Sequence, residues 1–177
     1  MSRRLSRALP AALLALVVGS LALAATALPA SSDRVYVQQI VLKGKNEKPH
    51  GEMDASGTIT LCLSKSRNVI AFNFDELTVN GQPTAGRIEK GAPGVSGPVA
   101  FAFGAPGLID PSMGEVEWAD SAPAAPALIA ALIAKPTAYY VNVHTKLYKN
   151  GAIRGQLGHW KLMGVDAQGA LECGVGT

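Results

Sequence analysis

The chain has 177 residues, 48% of them hydrophobic, with 16 Lys and Arg against 13 Asp and Glu and only two cysteines. That length fits one domain behind a targeting segment and suffices for a real hydrophobic core. There is no basic stripe with interleaved aromatic residues, which excludes a nucleic-acid-binding surface.

The first segment predicts export. Arg3, Arg4 and Arg7 form a positive n-region, and an apolar run follows from Leu9 to Ala25. Ala25-Thr26-Ala27 supplies the small residues that signal peptidase reads, so residues 1–27 are expected to be a secretory signal peptide, with Ala22-Leu23-Ala24 as the second cleavage choice. A retained anchor is the competing reading. The run is barely as long as the ~20 residues a spanning helix needs, and it has no positive stop-transfer flank. No Cys follows it, which argues against a lipoprotein anchor. No Asp or Glu precedes Asp33, so losing three arginines leaves 13 basic against 13 acidic residues. The excess basicity belongs to the targeting segment.

The mature chain is dominated by strand signals. Val35 to Leu42 is a β-branched and aromatic run, and Lys45 to Ser56 reads as a loop. Gly57 to Ser64 alternates, with Ile59, Leu61 and Leu63 on one face and Thr58, Thr60 and Cys62 on the other. Val69 to Asp75 alternates again through Ile70, Phe72 and Phe74, and the short link Lys65 to Asn68 makes the pair a hairpin. Leu77 to Val79 is a short strand closed by Asn80-Gly81. Thr84 to Glu89 and Val99 to Phe103 are the next strands. Residues 104–126 form a long excursion carrying Asp110, Glu115, Glu117 and Asp120, with one short strand at Glu115 to Trp118. These acidic residues match no defined calcium loop.

Ala124 to Lys135 is the one helix, with Leu128, Ile129, Leu132 and Ile133 at helical spacing and Pro136 as its stop. Tyr139 to Thr145 is a clear strand: Tyr140, Asn142 and His144 face one way, while Tyr139, Val141, Val143 and Thr145 face the other. Asn150-Gly151 supplies a turn, and Ala152 to Leu162 returns as its partner. Many short strands with Gly and Pro turns predict an all-β, antiparallel sandwich or barrel with one short helix.

Cys62 and Cys173 are the whole cysteine complement. In an oxidising compartment an even pair reads as a structural disulfide. A metal pair has too few thiolate partners, and a redox pair lacks the C-x-x-C spacing. Closing that long loop is worth roughly 4–5 kcal/mol in the chain-entropy model.

Tyr140-Val141-Asn142-Val143-His144-Thr145, followed by Gly151-Ala152-Ile153-Arg154-Gly155-Gln156, closely resembles the end of the CHRD domain, first named from chordin and found in many secreted bacterial proteins. Leu42-Lys43-Gly44-Lys45-Asn46-Glu47-Lys48-Pro49 with Ser56-Gly57 is similar to its opening pattern L-x-G-x-N-E-x-P and S-G. Gly91 to Val99 resembles its Gly-rich centre. The resemblance covers residues 35–162 of a domain expected at 33–177, leaving 163–177 as a tail. It implies a Greek-key sandwich similar to copper–zinc superoxide dismutase and a secreted or periplasmic protein that acts as a binding or scaffolding module. Any partner would be an extracellular or envelope protein or ligand, and no membrane span remains after signal cleavage.

One departure bears on chemistry. Many family members have A-H-I-H where this chain has Gly86-Arg87-Ile88-Glu89, and that histidine pair is similar to two dismutase copper ligands. Arg87 and Glu89 would share one strand face, about 7 Å apart. A guanidinium stays protonated and cannot replace an imidazole ligand. No catalytic residue, metal or cofactor is therefore expected.

Three histidines remain, and His50 sits in a polar loop. A two-residue turn at Asn150-Gly151 sets Asn142 opposite His159, with His144 as diagonal neighbour, and permits a divergent redox metal site at His144 and His159. A one-residue bulge flips the partner strand. It gathers Asn142, His144, Arg154 and Gln156 into a polar cluster suited to holding sheet and loops together, or to binding a ligand.

Overall fold

The computed structural model describes residues 34–104, 106 and 118–164. The signal-peptide segment 1–27, Cys173 and most of the tail, and the acidic residues Asp110, Glu115 and Glu117 lie outside the described residues.

Among the described residues nine antiparallel strands join in one curled sheet. β1 (Arg34–Lys43), β2 (Ser56–Ser64) and β3 (Val69–Thr78) form a meander. The Lys65–Asn68 link gives the expected hairpin, with Ser64 opposite Val69. The chain then crosses to β4 (Pro83–Lys90) and β5 (Val99–Ala102), returns at β6 (Trp118–Pro123), and enters helix α1 (Pro126–Ala134). β7 (Tyr139–Thr145), β8 (Ile153–Gln156) and β9 (Lys161–Gly164) follow. The spatial order is β5-β4-β7-β8-β1-β2-β3-β6, with β9 also paired to β1. This is the crossing-over, all-β sandwich or barrel class that the strand pattern predicts.

The alternation sets the core. Ile59, Leu61, Leu63, Ile70, Phe72 and Phe74 from β2 and β3 meet Ile88, Val141, Val143 and Ile153 from the other half, and all are buried. Helix α1 lays Ile129 and Leu132 on this core. It starts at Pro126, two residues later than expected, because a proline fits the first helical turn but not the interior. Cys62 points to the opposite face of β2, fully buried beside Val35 and Ala71.

The edge strands β5 and β6 are brought together by rings. Phe103, just after β5, packs on Phe72 and Phe74 of β3 with centroids 4.6 and 5.4 Å apart. Trp118 of β6 stacks on Phe74 at 4.6 Å and lies against Gly86 of β4, where a Cβ would come within 2.6 Å of the indole. Only glycine allows that approach.

Two expectations are corrected, and a third is described only in part. Leu77 and Thr78 do not form a separate strand; they end β3 beyond an irregularity at Glu76, whose φ is +51°. Of the strand expected at Glu115 to Trp118, Trp118 opens β6, and residues 115–117 lie outside the described residues. The single return strand Ala152 to Leu162 is two strands: β8 pairs with β7, and β9 leaves it to pair with β1.

A buried polar face and the loops it holds

The face of β4, β7 and β8 away from the core carries an unusual load of polar side chains. Register places Arg87 opposite Asn142, Glu89 opposite Tyr140, Asn142 opposite Arg154, and Tyr140 opposite Gln156. His144 continues the row on β7. Asn142, His144, Arg154 and Gln156 thus share one face, and His159 is not on it.

The turn explains the difference between registers. A two-residue Asn150-Gly151 turn needs positive φ at both positions; Gly151 has φ +133°, and Asn150 is not in that region. The loop instead spans Lys146 to Ala152. The Tyr148 carbonyl accepts from Thr145 and Gly151, and the Tyr148 N–H donates to Thr145 Oγ1. Asn142 consequently meets Arg154 rather than His159, five residues nearer the turn. An odd shift turns the strand over. His159 is exposed beyond β8, where its carbonyl accepts from Gln38 Nε2 at 3.0 Å. His50 is also exposed, so the structure brings no second histidine to His144.

The face is covered by two loops, residues 44–55 and 91–98, and its side chains hold them there. Arg154, 2% exposed, is the centre. Its Nη2 donates to the carbonyls of Ala92 at 3.1 Å and Val95 at 2.7 Å, and its guanidinium lies 3.3 Å above the Tyr140 ring. Asn46 Nδ2 donates to the Arg154 carbonyl, and Ser96 Oγ donates to the Lys48 carbonyl, so the two loops also touch each other. Gln156 Nε2 reaches the carbonyls of Gly91, Thr137 and Tyr139.

Two carboxylates sit in this layer. Glu89 accepts from Tyr140 Oη, and its Oε1 lies 3.7 Å from His144 Nε2 and 3.9 Å from Arg87 Nη1. Burial alone would raise the Glu89 carboxyl, but the His144 ring beside it and the hydrogen bond from Tyr140 outweigh it and hold the group below its ordinary range. The Tyr140 hydroxyl is pushed up to about 12 by burial and by its bond to Glu89. It also accepts from the Gly97 N–H at 3.1 Å. His144 Nδ1 donates to the Lys149 carbonyl at 2.9 Å, which holds the ring against the loop after β7.

Glu47 is the residue that strand reasoning misses. It is 3% exposed, with Oε1 taking the Lys48 N–H and lying 4.0 Å from Arg154 Nη1. Burial is the largest influence on it and raises its carboxyl above the usual value. Gly151 makes room for it: a Cβ there would lie 2.4 Å from Glu47 Oε2 and 2.5 Å from Asn142 Oδ1. The only sequence signal for Glu47 is its place in the opening Asn46-Glu47-Lys48-Pro49 pattern.

The arrangement is an internal clamp: paired charges and charge-assisted hydrogen bonds fixing two loops on a sheet. Among the described residues no group of three His, Cys, Asp or Glu side chains is placed to hold a metal ion. Residues 38–157 match the family model of the CHRD domain, which is more than half of the sequence, and the chain belongs to that family. No curated protein and no solved structure matches it.

Proposed function

We propose that this chain is an exported, non-catalytic β-domain whose clamped loops form a binding or scaffolding surface in the cell envelope or outside the cell. The observation that carries this reading is the direction of the polar face. Tyr140, Asn142, His144 and Arg154 are all buried and turned onto the protein's own loops, so their chemistry goes into shape rather than to a substrate. Membership of the CHRD family supports it. So does the N-terminal Arg-plus-apolar segment, read as a signal peptide over residues 1–27. In a secreted or periplasmic setting, Cys62 and Cys173 pair as a structural disulfide. Among the described residues no helix is long and apolar enough to cross a membrane.

The test combines metal content with partner capture on protein purified from the native medium or envelope. Sub-stoichiometric copper, zinc and iron, together with recovery of a specific partner by the tagged protein, is the expected result. Stoichiometric metal that is lost in His144→Ala would overturn the non-catalytic reading.

A further inference from the structure

The loops held by Arg154 enclose an open pocket of about 410 Å³, within the ~300–1,000 Å³ usual for small-ligand sites. One wall is Lys45, Asn46 and Lys48, the other is Pro93 and Gly94, and Arg154 and Gln156 of β8 form the floor. Its chemistry is one-sided. Lys45 and Lys48 are exposed on it, the Arg154 beneath them is buried and paired with Glu47, and no carboxylate lines it. Glu47, between the two lysines in sequence, is buried and turned toward Gly151 instead.

The amides add a second character. Asn46 spends its Nδ2 on the Arg154 carbonyl, and Gln156 spends its Nε2 on three carbonyls, leaving each side chain its oxygen for a ligand. A pocket with ammonium donors and amide acceptors suits a ligand carrying both an anionic group and hydroxyls. A bare anion would leave the acceptors unused, and a neutral sugar would leave the charges unused.

We infer that this pocket binds an acidic sugar, a carboxylate-bearing saccharide unit whose carboxylate is held by Lys45 and Lys48 and whose hydroxyls donate to Asn46 and Gln156. The site is pre-organised, because both walls are fixed from behind by Arg154 and to each other by the Ser96–Lys48 bond, so little ordering is left for the ligand to induce. The pocket deepens the binding-module reading and rests on it. The unit can arrive as a free uronate or as part of a polymer.

Calorimetric titration of the purified protein with glucuronate, galacturonate and their oligomers tests this, with glucose and inorganic phosphate as controls. Uronate binding that weakens with added salt is expected, with binding to glucose and phosphate at least ten-fold weaker. Tighter binding of oligomers than monomers would identify the polymer as the source, and equal binding the free sugar. Lys45→Gln/Lys48→Gln should weaken uronate binding at least ten-fold with an unchanged thermal midpoint, while Lys65→Gln, on the β2–β3 hairpin, should leave it intact. Absence of uronate binding, equal binding of phosphate or glucose, or an unaffected double variant would overturn the inference. If wild type and double variant then recover the same partner in the capture experiment, the pocket inference falls alone; if neither recovers one, the binding-module reading falls with it.

Discussion

Arg154 lies over the ring of Tyr140 while reaching past it to the carbonyls of Ala92 and Val95. One buried side chain therefore joins β7, β8 and the 91–98 loop. Removing it leaves Glu47 buried without its cation. Arg154→Ala is expected to destabilise the domain by about 3–5 kcal/mol in urea unfolding. Arg154→Lys keeps the charge but loses the planar fork, and should recover only part of that loss.

Tyr140 is expected to ionise above the ordinary tyrosine range. Its hydroxyl is raised from 10.0 to about 12, so the folded state favours the neutral form. The contribution to stability is complete below pH 10 and disappears as pH rises through about 12. Absorbance titration of the phenolates should show one late group, absent in Tyr140→Phe. At neutral pH that variant also strips Glu89 of a charge-assisted hydrogen bond, at about 1.5–3 kcal/mol.

Glu89 and Glu47 should act in opposite directions on the pH profile. Glu89 is depressed, so its stabilisation is present above its ordinary 4.5 and lost as pH falls through the lower folded value. Glu47 is raised, so its contribution is complete below 4.5 and lost as pH rises through the higher folded value. The groups facing them are Arg87, His144, Tyr140 and Arg154. Urea midpoints measured across the acid range should show Glu89→Gln removing the slope below pH 4.5 and Glu47→Gln removing the opposing slope above it.

Gly151→Ala is expected to cost about 1–3 kcal/mol from backbone strain at φ +133°, with further loss from the overlap of the new methyl with Glu47 and Asn142. Thermal unfolding checks the loss. Ala substitution at Gly158, which has negative φ and only Gln38 within reach, should be mild by comparison.

Cys173→Ser is expected to lower stability by about 2–5 kcal/mol. A non-reducing peptide map of the wild type should contain one peptide joining the Cys62 and Cys173 segments.

The strands were legible wherever one face is apolar. The alternation through Ile59, Leu61 and Leu63 and through Ile70, Phe72 and Phe74 marks the buried side without ambiguity, because a slip of one residue would expose the whole set. β7 was legible to the residue for the same reason. The hairpin after it was not. Asn150-Gly151 looks like a two-residue turn, but Thr145 and Tyr148 set a wider loop through their own hydrogen bonds, and that choice is invisible to a dipeptide rule. The candidate cluster was legible as a face and not as a layer. Gln156 and Arg154 alternate visibly with Asn142, whereas Glu47 comes from a distant loop and reaches Arg154 through tertiary folding alone.

The separation of clamp from rim has a consequence for how such a domain diversifies. The 91–98 loop is positioned from beneath by Arg154 and Gln156 through its main-chain carbonyls, and the 44–55 loop through the side chains of Asn46 and Glu47 and the main chain of Glu52. Side chains at 45, 48 and 93 can therefore be exchanged while the frame beneath them keeps its shape. Selection can rewrite what the rim recognises at little cost in folding, while the buried layer stays under strict constraint.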